Sequence, residues 1–322
     1  MSSDPFEGGG PIRLTVAVPA YNHERYIRRC LDSLRPLKTY CTELILIDDG
    51  SRDDTYGAAQ AWVTENPAVF AQVRLLRQEN RGIARTLNTM IDMARGEFVL
   101  PIASDDELIA ETVDGRIALL EAHPEWSVLV GDGVVIDEQG KELMPSGVQG
   151  LHGGDLRALA DGRLLCWELI LRWSFVGSTY MLRTSYFRSG ERRWRPGLQA
   201  EDRDFILRIL ARDELGFVPI AVSRYRWHPN TRESLEKTKL AVVTAVALGE
   251  RQAAPLFKGL KRLALLVNGW YLDAAVASQT GEWSKAHVEL AYRTRKLAWA
   301  ILLFLHNRRI EATLRHPAKG SH

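Results

Sequence analysis

The first two-thirds of the chain alternates short apolar runs with amphipathic stretches, and few folds accept that rhythm. Residues 12–18 are β-rich and stop at Pro19. Residues 24–34 carry Ile27, Leu31 and Leu34 at helical spacing, and Pro36 marks the helix end. An apolar run at 44–47 leads into Asp48-Asp49-Gly50-Ser51, and residues 54–65 read as a helix. A third strand is expected at 73–76. A third helix follows at 82–94, with Ile83, Leu87, Met90, Ile91 and Ala94 as its stripe. Residues 98–102 form a fourth strand that ends before Ser104-Asp105-Asp106. Strands alternating with helices predict an α/β fold, a mostly parallel sheet flanked by helices. Such strands are buried on both faces and read as continuous apolar runs. Ligands of these folds sit at the carboxyl ends of the strands. Tyr21-Asn22, Asp48-Asp49 and Asp105-Asp106 each follow a strand.

After residue 107 the pattern loosens. A helix is expected at 111–121, a strand at 127–136, a flexible Gly-rich stretch at 145–154 and a strand at 177–182. A helix at 199–212 and a strand at 216–227 lead to His228-Pro229-Asn230. From residue 232 onward the chain is helical in character. The expected organisation is a disordered lead-in at 1–10, a catalytic domain at 11–231 and a helical C-terminal region at 232–322. A chain of 322 residues is long for one core, which agrees with a large domain plus an appendage. A net charge of +2 argues against a nucleic-acid binder. Three cysteines without CxxC spacing argue against a zinc site or a disulfide framework and fit a reducing cytoplasm. No apolar run approaches the roughly 18 residues of a membrane-spanning helix.

Four constellations carry chemistry. At a strand end, a carboxylate of Asp48-Asp49 can accept from a base N–H or a ribose hydroxyl, and Gly50 permits the tight turn. Capping of the next helix by Ser51, Asp53 or Asp54 is the plainer alternative. Adjacent Asp105 and Asp106 repel each other unless a cation neutralises them, and hard oxygen ligands suit Mg²⁺ or Mn²⁺. Helix capping is again the alternative. Glu201-Asp202 can supply a general base, or merely an acidic helix start favoured by the macrodipole. In Tyr225-Arg226-Trp227-His228, Arg226 can face a diphosphate or a surface carboxylate, and His228 can be a ligand or a structural histidine.

Jointly these segments are far more specific. Val18-Pro19-Ala20-Tyr21-Asn22, Leu31-Asp32-Ser33-Leu34, Ile47-Asp48-Asp49-Gly50-Ser51, Asn80-Arg81-Gly82, Ala94-Arg95-Gly96-Glu97-Phe98 and Ser104-Asp105-Asp106 resemble the family 2 glycosyltransferases of the GT-A fold. The likeness is strong over residues 12–108 and weaker through Gly177-Ser178, Glu201-Asp202 and Tyr225-Arg226-Trp227-His228. It implies an inverting enzyme that moves a sugar from a nucleotide-diphosphate donor to an acceptor hydroxyl, in cell-surface polysaccharide or glycolipid synthesis. It implies that Pro19, Tyr21 and Asp49 hold the nucleotide base, with Arg81, Arg85, Asp105 and Arg226 also on the donor. Asp106 and His228 would hold a Mn²⁺ or Mg²⁺ ion, and Asp202 would be the base, aided by Glu201. Leu87 precedes Asn88 where many members carry Arg, and Arg85 is the substitute that this sequence offers. The acceptor would be a saccharide or lipid-linked sugar.

Two other classes compete. A sugar nucleotidylyltransferase would show a Gly-rich, Arg-containing loop after the first strand, where this chain has Pro19-Ala20-Tyr21-Asn22-His23. An inactive carbohydrate-binding or scaffold protein would not need all three acidic pairs. In the C-terminal region, the apolar run 297–305 is bracketed by Arg293, Arg295, Lys296, Arg308 and Arg309. That pattern suits a helix packed on its own protein or on a second subunit of a homo-oligomer. The less favoured alternative is an interfacial helix making peripheral contact with the inner face of the membrane.

Overall fold

A computed structural model describes residues 12–39, 42–188, 190–198, 200–227, 229–281 and 283–315. His228 and residues 1–10 lie outside the described residues. In chain order the elements begin β1 (Leu14–Ala20), α1 (Glu24–Ser33), β2 (Thr42–Asp48), α2 (Thr55–Glu65), β3 (Gln72–Arg77), α3 (Ile83–Met93) and β4 (Phe98–Pro101). Then come β5 (Glu107–Leu108), α4 (Val113–Ala122), β6 (Val128–Ile136), β7 (Glu142–Met144), α5 (Gly147–Gly150), α6 (Leu156–Ala160) and α7 (Gly162–Arg172). The chain continues through β8 (Met181–Arg183), α8 (Thr184–Phe187), α9 (Glu201–Leu210) and β9 (Leu215–Arg226), and three long helices follow: α10 (Pro229–Ala253), α11 (Gly259–Thr280) and α12 (Lys285–Arg315).

The described residues fall into two compact units. The first draws on Met1–Gly147, Val176–Gly197 and Ile220–Trp227. The second draws on Val148–Phe175, Leu198–Pro219 and His228–His322. The sheet runs in the order β3-β2-β1-β4-β8-β6-β9-β5, with β7 beside β6. Strands β1 to β4 pair in parallel, with Ala20 opposite Asp48 and Asp48 opposite Arg77. This parallel registration brings the carboxyl ends of β1, β2 and β3 to one edge of the sheet, and that edge is where the sequence concentrates its polar residues. Strands β1, β2 and β4 are apolar runs with almost no exposed position, the burial expected of strands covered on both faces.

The far ends of these strands are tied by a buried polar cluster. The Thr15 hydroxyl donates to Glu43 at 2.8 Å, and the Gly96 N–H donates to the Thr15 hydroxyl at 2.9 Å. A buried carboxylate is tolerable here because the Arg95 N–H also reaches it at 2.9 Å and Arg74 lies 3.4 Å away.

In the second unit, α7 is buried at every position from Leu164 to Leu171. Its one acidic residue, Glu168, accepts from the Asp155 N–H at 2.9 Å and lies 2.6 Å from His306 Nε2. A stripe of α12 packs inward through Ala291, Trp299, His306 and Ile310, and Trp299 Nε1 donates to the Leu171 carbonyl at 3.0 Å. The Gly-rich stretch expected to be flexible contains the turn α5, and the Gly154 N–H donates to the Val148 carbonyl at 2.9 Å. A Cβ at Gly154 would stand 2.3 Å from the Ser174 hydroxyl, so this glycine serves close packing.

Candidate functional site

A cleft of about 260 Å³ opens at the carboxyl edge of the parallel strands, wholly within the first unit. Pro19, Ala20 and Tyr21 line it from the end of β1, Asp49 from the end of β2, and Ala103 from beyond β4. Asn80, Gly82, Ile83 and Thr86 close it from the start of α3, and His23 stands at the start of α1. Tyr21 is 41% exposed, so an aromatic face is available at the rim. Small and apolar walls with a few polar groups are the usual make-up of a small-molecule pocket.

The two aspartates after β2 have different tasks. Asp48 is fully buried, accepts from the Ser51 N–H at 3.2 Å and lies 3.1 Å from Arg77 Nε. It fixes the turn. Gly50 is needed in that turn twice over. Its φ is +80°, and a Cβ there would meet the Asn80 backbone nitrogen at 2.8 Å. Asp49 points to the cleft. It accepts from the Arg81 N–H and the Gly82 N–H, both at 2.9 Å, and from Gln78 Nε2 at 2.7 Å. Its carboxylate therefore shapes the loop that opens α3 while lining the pocket. Of the arginines expected near the donor, Arg81 and Arg85 are both exposed on this loop and helix.

After β4 the two carboxylates of the acidic pair stand in different surroundings. Asp106, the expected metal ligand, is 2% exposed. It accepts from the Arg226 N–H at 2.7 Å and is hydrogen-bonded to the Ser178 hydroxyl. Burial, and then the charge of Asp105, push its carboxyl well above the ordinary range, which favours a neutral acid. Asp105 keeps 15% of its side chain exposed, 3.6 Å from Nε2 of His23, a residue of the cleft wall. His23 Nδ1 is in turn 2.8 Å from the Ser104 hydroxyl. The carboxylate beside the cleft is thus Asp105.

Arg226 also departs from expectation. It is 1% exposed, so it does not face a diphosphate in the cleft. Its Nε donates to the Asp105 carbonyl and one terminal nitrogen to the Asp137 carbonyl, both at 2.7 Å, and the other pairs with Glu107. The ring of Tyr26 lies 5.1 Å from its centre. Sequence shows the charge but not the partners that withdraw it from solvent. The structural contribution of His23 was equally hidden, its only signal being its place two residues after Tyr21.

Glu201 and Asp202 open α9 in the second unit, both partly exposed at the helix N-terminus. Burial, reinforced by the charge of Asp202, pushes Glu201 up to about 8. An acid of that value is mostly protonated at neutral pH and able to donate a hydrogen bond.

The fit of a divalent cation follows from this donor set. Among the described residues no group of three or more His, Cys, Asp or Glu converges on one point. Mg²⁺ and related cations bind through one or two carboxylates together with substrate phosphates and water. One partly exposed carboxylate beside a cleft fits that mode.

Comparison with known proteins gives the class. Residues 15–160 match the family model for glycosyl transferase family 2. The fold is that of the GT-A glycosyltransferases. The 1–349 fragment of TarS from S. aureus, solved in complex with UDP-GlcNAc, superposes with a TM-score of 0.58 at 18% identity, covering 94% of this chain and 92% of that one. The mannosyltransferase PcManGT of Pyrobaculum calidifontis, solved with GDP-Man and Mn²⁺, gives 0.57 at 19% identity, covering 99% and 92%. In sequence, the chondroitin synthase of Escherichia coli is 34% identical over 101 residues, which cover 31% of this chain and 14% of that protein. The match spans under half the length of the curated relatives.

Proposed function

We propose that the chain is an inverting glycosyltransferase that transfers a sugar from a nucleotide-diphosphate donor to an acceptor hydroxyl, with residues 11–231 as the catalytic region and 232–322 as a helical C-terminal region. The observation that carries it is the cleft itself. Its walls place Tyr21 and Asp49 beside each other at the ends of parallel strands, with His23 and Asp105 next to them, within the stretch that matches the family 2 model. Asp49 accepts the base N–H of the nucleotide, and Tyr21 covers the ring. Arg81 and Arg85 supply exposed positive charge to the phosphates. Asp105, rather than Asp106, would hold a Mn²⁺ or Mg²⁺ ion beside the cleft. Such an ion would neutralise the leaving group as a Lewis acid. Arg226 and Asp106 position the loop that presents Asp105. Asp202 is the base for the acceptor hydroxyl, a role that rests on the likeness in sequence, and protonated Glu201 donates to the acceptor or the donor sugar. A general base must be ionised to take the proton of an attacking hydroxyl.

UDP-GlcNAc and GDP-Man are bound by structural neighbours, which supports a nucleotide sugar here without choosing the base or the sugar. The chondroitin synthase match supports a polysaccharide or other glycan acceptor. The test is titration calorimetry of the full chain with UDP, GDP and dTDP, with and without Mn²⁺. One nucleotide is expected to bind about tenfold or more tightly with Mn²⁺, and Asp105→Asn to abolish that gain. Binding unaffected by Asp105→Asn would move the cation elsewhere, and no nucleotide binding by the folded chain would overturn the reading. Asp202→Asn is expected to lower turnover by at least about a hundredfold while nucleotide binding survives. Near-normal turnover would remove Asp202 as the base.

A further inference from the structure

The helical hairpin α11–α12 buries one side and leaves the other uncovered. In α12 the docked residues Ala291, Trp299, His306 and Ile310 share one side of the helix. On the opposite side, at helical spacing, Leu290, Leu297, Ile301 and Phe304 are 55%, 65%, 51% and 62% exposed. Four large apolar side chains in one outward stripe are not the scatter normally seen on a protein surface.

Charge tells which partner suits the stripe. Helix α12 carries seven Lys and Arg against two Glu, in a chain whose net charge is only +2. Arg308 continues the stripe beyond Phe304, and Arg293 and Lys296 flank it; all three are exposed. Glu289 pairs with Arg293 at 2.6 Å, which leaves Glu311 as the acidic residue at the other end. The hairpin register adds to this. Arg295 lies 3.2 Å from Asn268, and the Tyr292 ring lies 6.4 Å from that of Tyr271, so α11 runs antiparallel to α12. The start of α11 is therefore level with Phe304 and Arg308. There Leu260 and Leu263 are 49% and 54% exposed, beside the exposed Lys258 and Arg262.

We propose that this outward side of α11–α12 lies on a membrane surface that contains anionic phospholipid. Leu297, Ile301 and Phe304 enter the headgroup–acyl boundary, and Arg308, Lys296, Lys258 and Arg262 meet the phosphates. An amphipathic helix with apolar side chains framed by Lys and Arg binds such a surface by area and by charge together. Among the described residues no helix is long and apolar enough to cross a membrane, so the contact is peripheral. A second copy of the chain fits less well. Interface cores are depleted of charged residues, and self-association through this end would bring like charges together. The proposal does not depend on the catalytic reading.

The test is flotation of the full chain with vesicles of phosphatidylcholine alone and of phosphatidylcholine with phosphatidylglycerol. Binding is expected only with the anionic vesicles, and is expected to weaken in high salt. Phe304→Glu, at an exposed position, is expected to keep the melting temperature and to reduce flotation about tenfold. Failure of the folded protein to float with anionic vesicles overturns the proposal, as does undiminished flotation of Phe304→Glu. A dimer in light scattering that Phe304→Glu dissolves, without vesicle binding, overturns it in favour of a second copy.

Discussion

Asp49 serves two ends with one carboxylate. Its oxygens take two backbone N–H groups and the Gln78 amide, so the loop before α3 is set before any ligand arrives. Asp49→Asn keeps the shape but turns one acceptor into an NH₂ that faces a donor. Leaving a buried donor unsatisfied costs about 1–3 kcal/mol. Urea unfolding is expected to show a loss of that size, and nucleotide affinity is expected to fall with it; an unchanged midpoint would mean that the loop is held by other contacts. Glu201 makes a prediction of the opposite kind. Its carboxyl is raised from an ordinary 4.5 to about 8 by burial and by Asp202. The folded state therefore holds a proton that the unfolded state releases between these values. Its contribution to stability is complete below about 4.5 and fades as pH rises towards about 8. Glu201→Gln cannot titrate, so its stability should decline less over that window than the wild type's. Parallel pH profiles from chemical denaturation would show that Glu201 is not raised.

At the scale of elements, the close approach of chain segments is as decisive as their propensity. Gly96 precedes β4 and lies against β1. A Cβ there would stand 2.5 Å from the Thr15 nitrogen and 2.7 Å from the Leu14 carbonyl carbon, both backbone. Neither can move without shifting β1 out of register with β2. Gly96→Ala is thus expected to cost more than about 2 kcal/mol, read as a lowered melting temperature; a wild-type melt would mean that β1 gives way easily. Elements β1 to β4 and α1 to α3 were legible because their apolar runs or stripes are bounded by Pro, Gly and Asp. Helix α7 was not. From Leu164 to Leu171 every residue is buried, Glu168 included, so no polar face exists to reveal a period. The site divides in the same way. Asp49 could be placed from a strand end followed by Gly50. The unequal burial of Asp105 and Asp106, and the burial of Arg226, depend on Ser178 and Glu107, which are brought together only by the folded sheet.

At the scale of the whole molecule, the C-terminal helices are part of a core rather than an attachment to one. Arg203 of α9 pairs with the fully buried Glu250 of α10, whose carboxylate also accepts from Asn268 of α11 at 2.8 Å. Asn268 in turn accepts from Arg295 of α12 at 3.2 Å. On the other flank, Glu168 of α7 is held by His306, by Arg172 and by the Ser174 hydroxyl. Charges this deep are tolerable only while their partners stay. Removing one partner of a buried pair costs about 3–5 kcal/mol, because the remaining charge is left without water or counter-charge. A chain ending near residue 284 would strip His306 from Glu168, Arg295 from Asn268 and the Trp299 donor from the Leu171 carbonyl. Such a truncation is expected to unfold the second unit cooperatively at lower denaturant, and a loss of vesicle binding in that chain would then say nothing about lipid. Glu250→Ala isolates the effect at one residue, since it leaves the outward stripe of α12 intact. It is expected to lower stability by about 3–5 kcal/mol in urea while flotation of the folded protein with anionic vesicles persists. A truncated chain as stable as the full one would show that the polar chain from Arg203 to Arg295 does not hold these helices, and that α12 is an appendage after all.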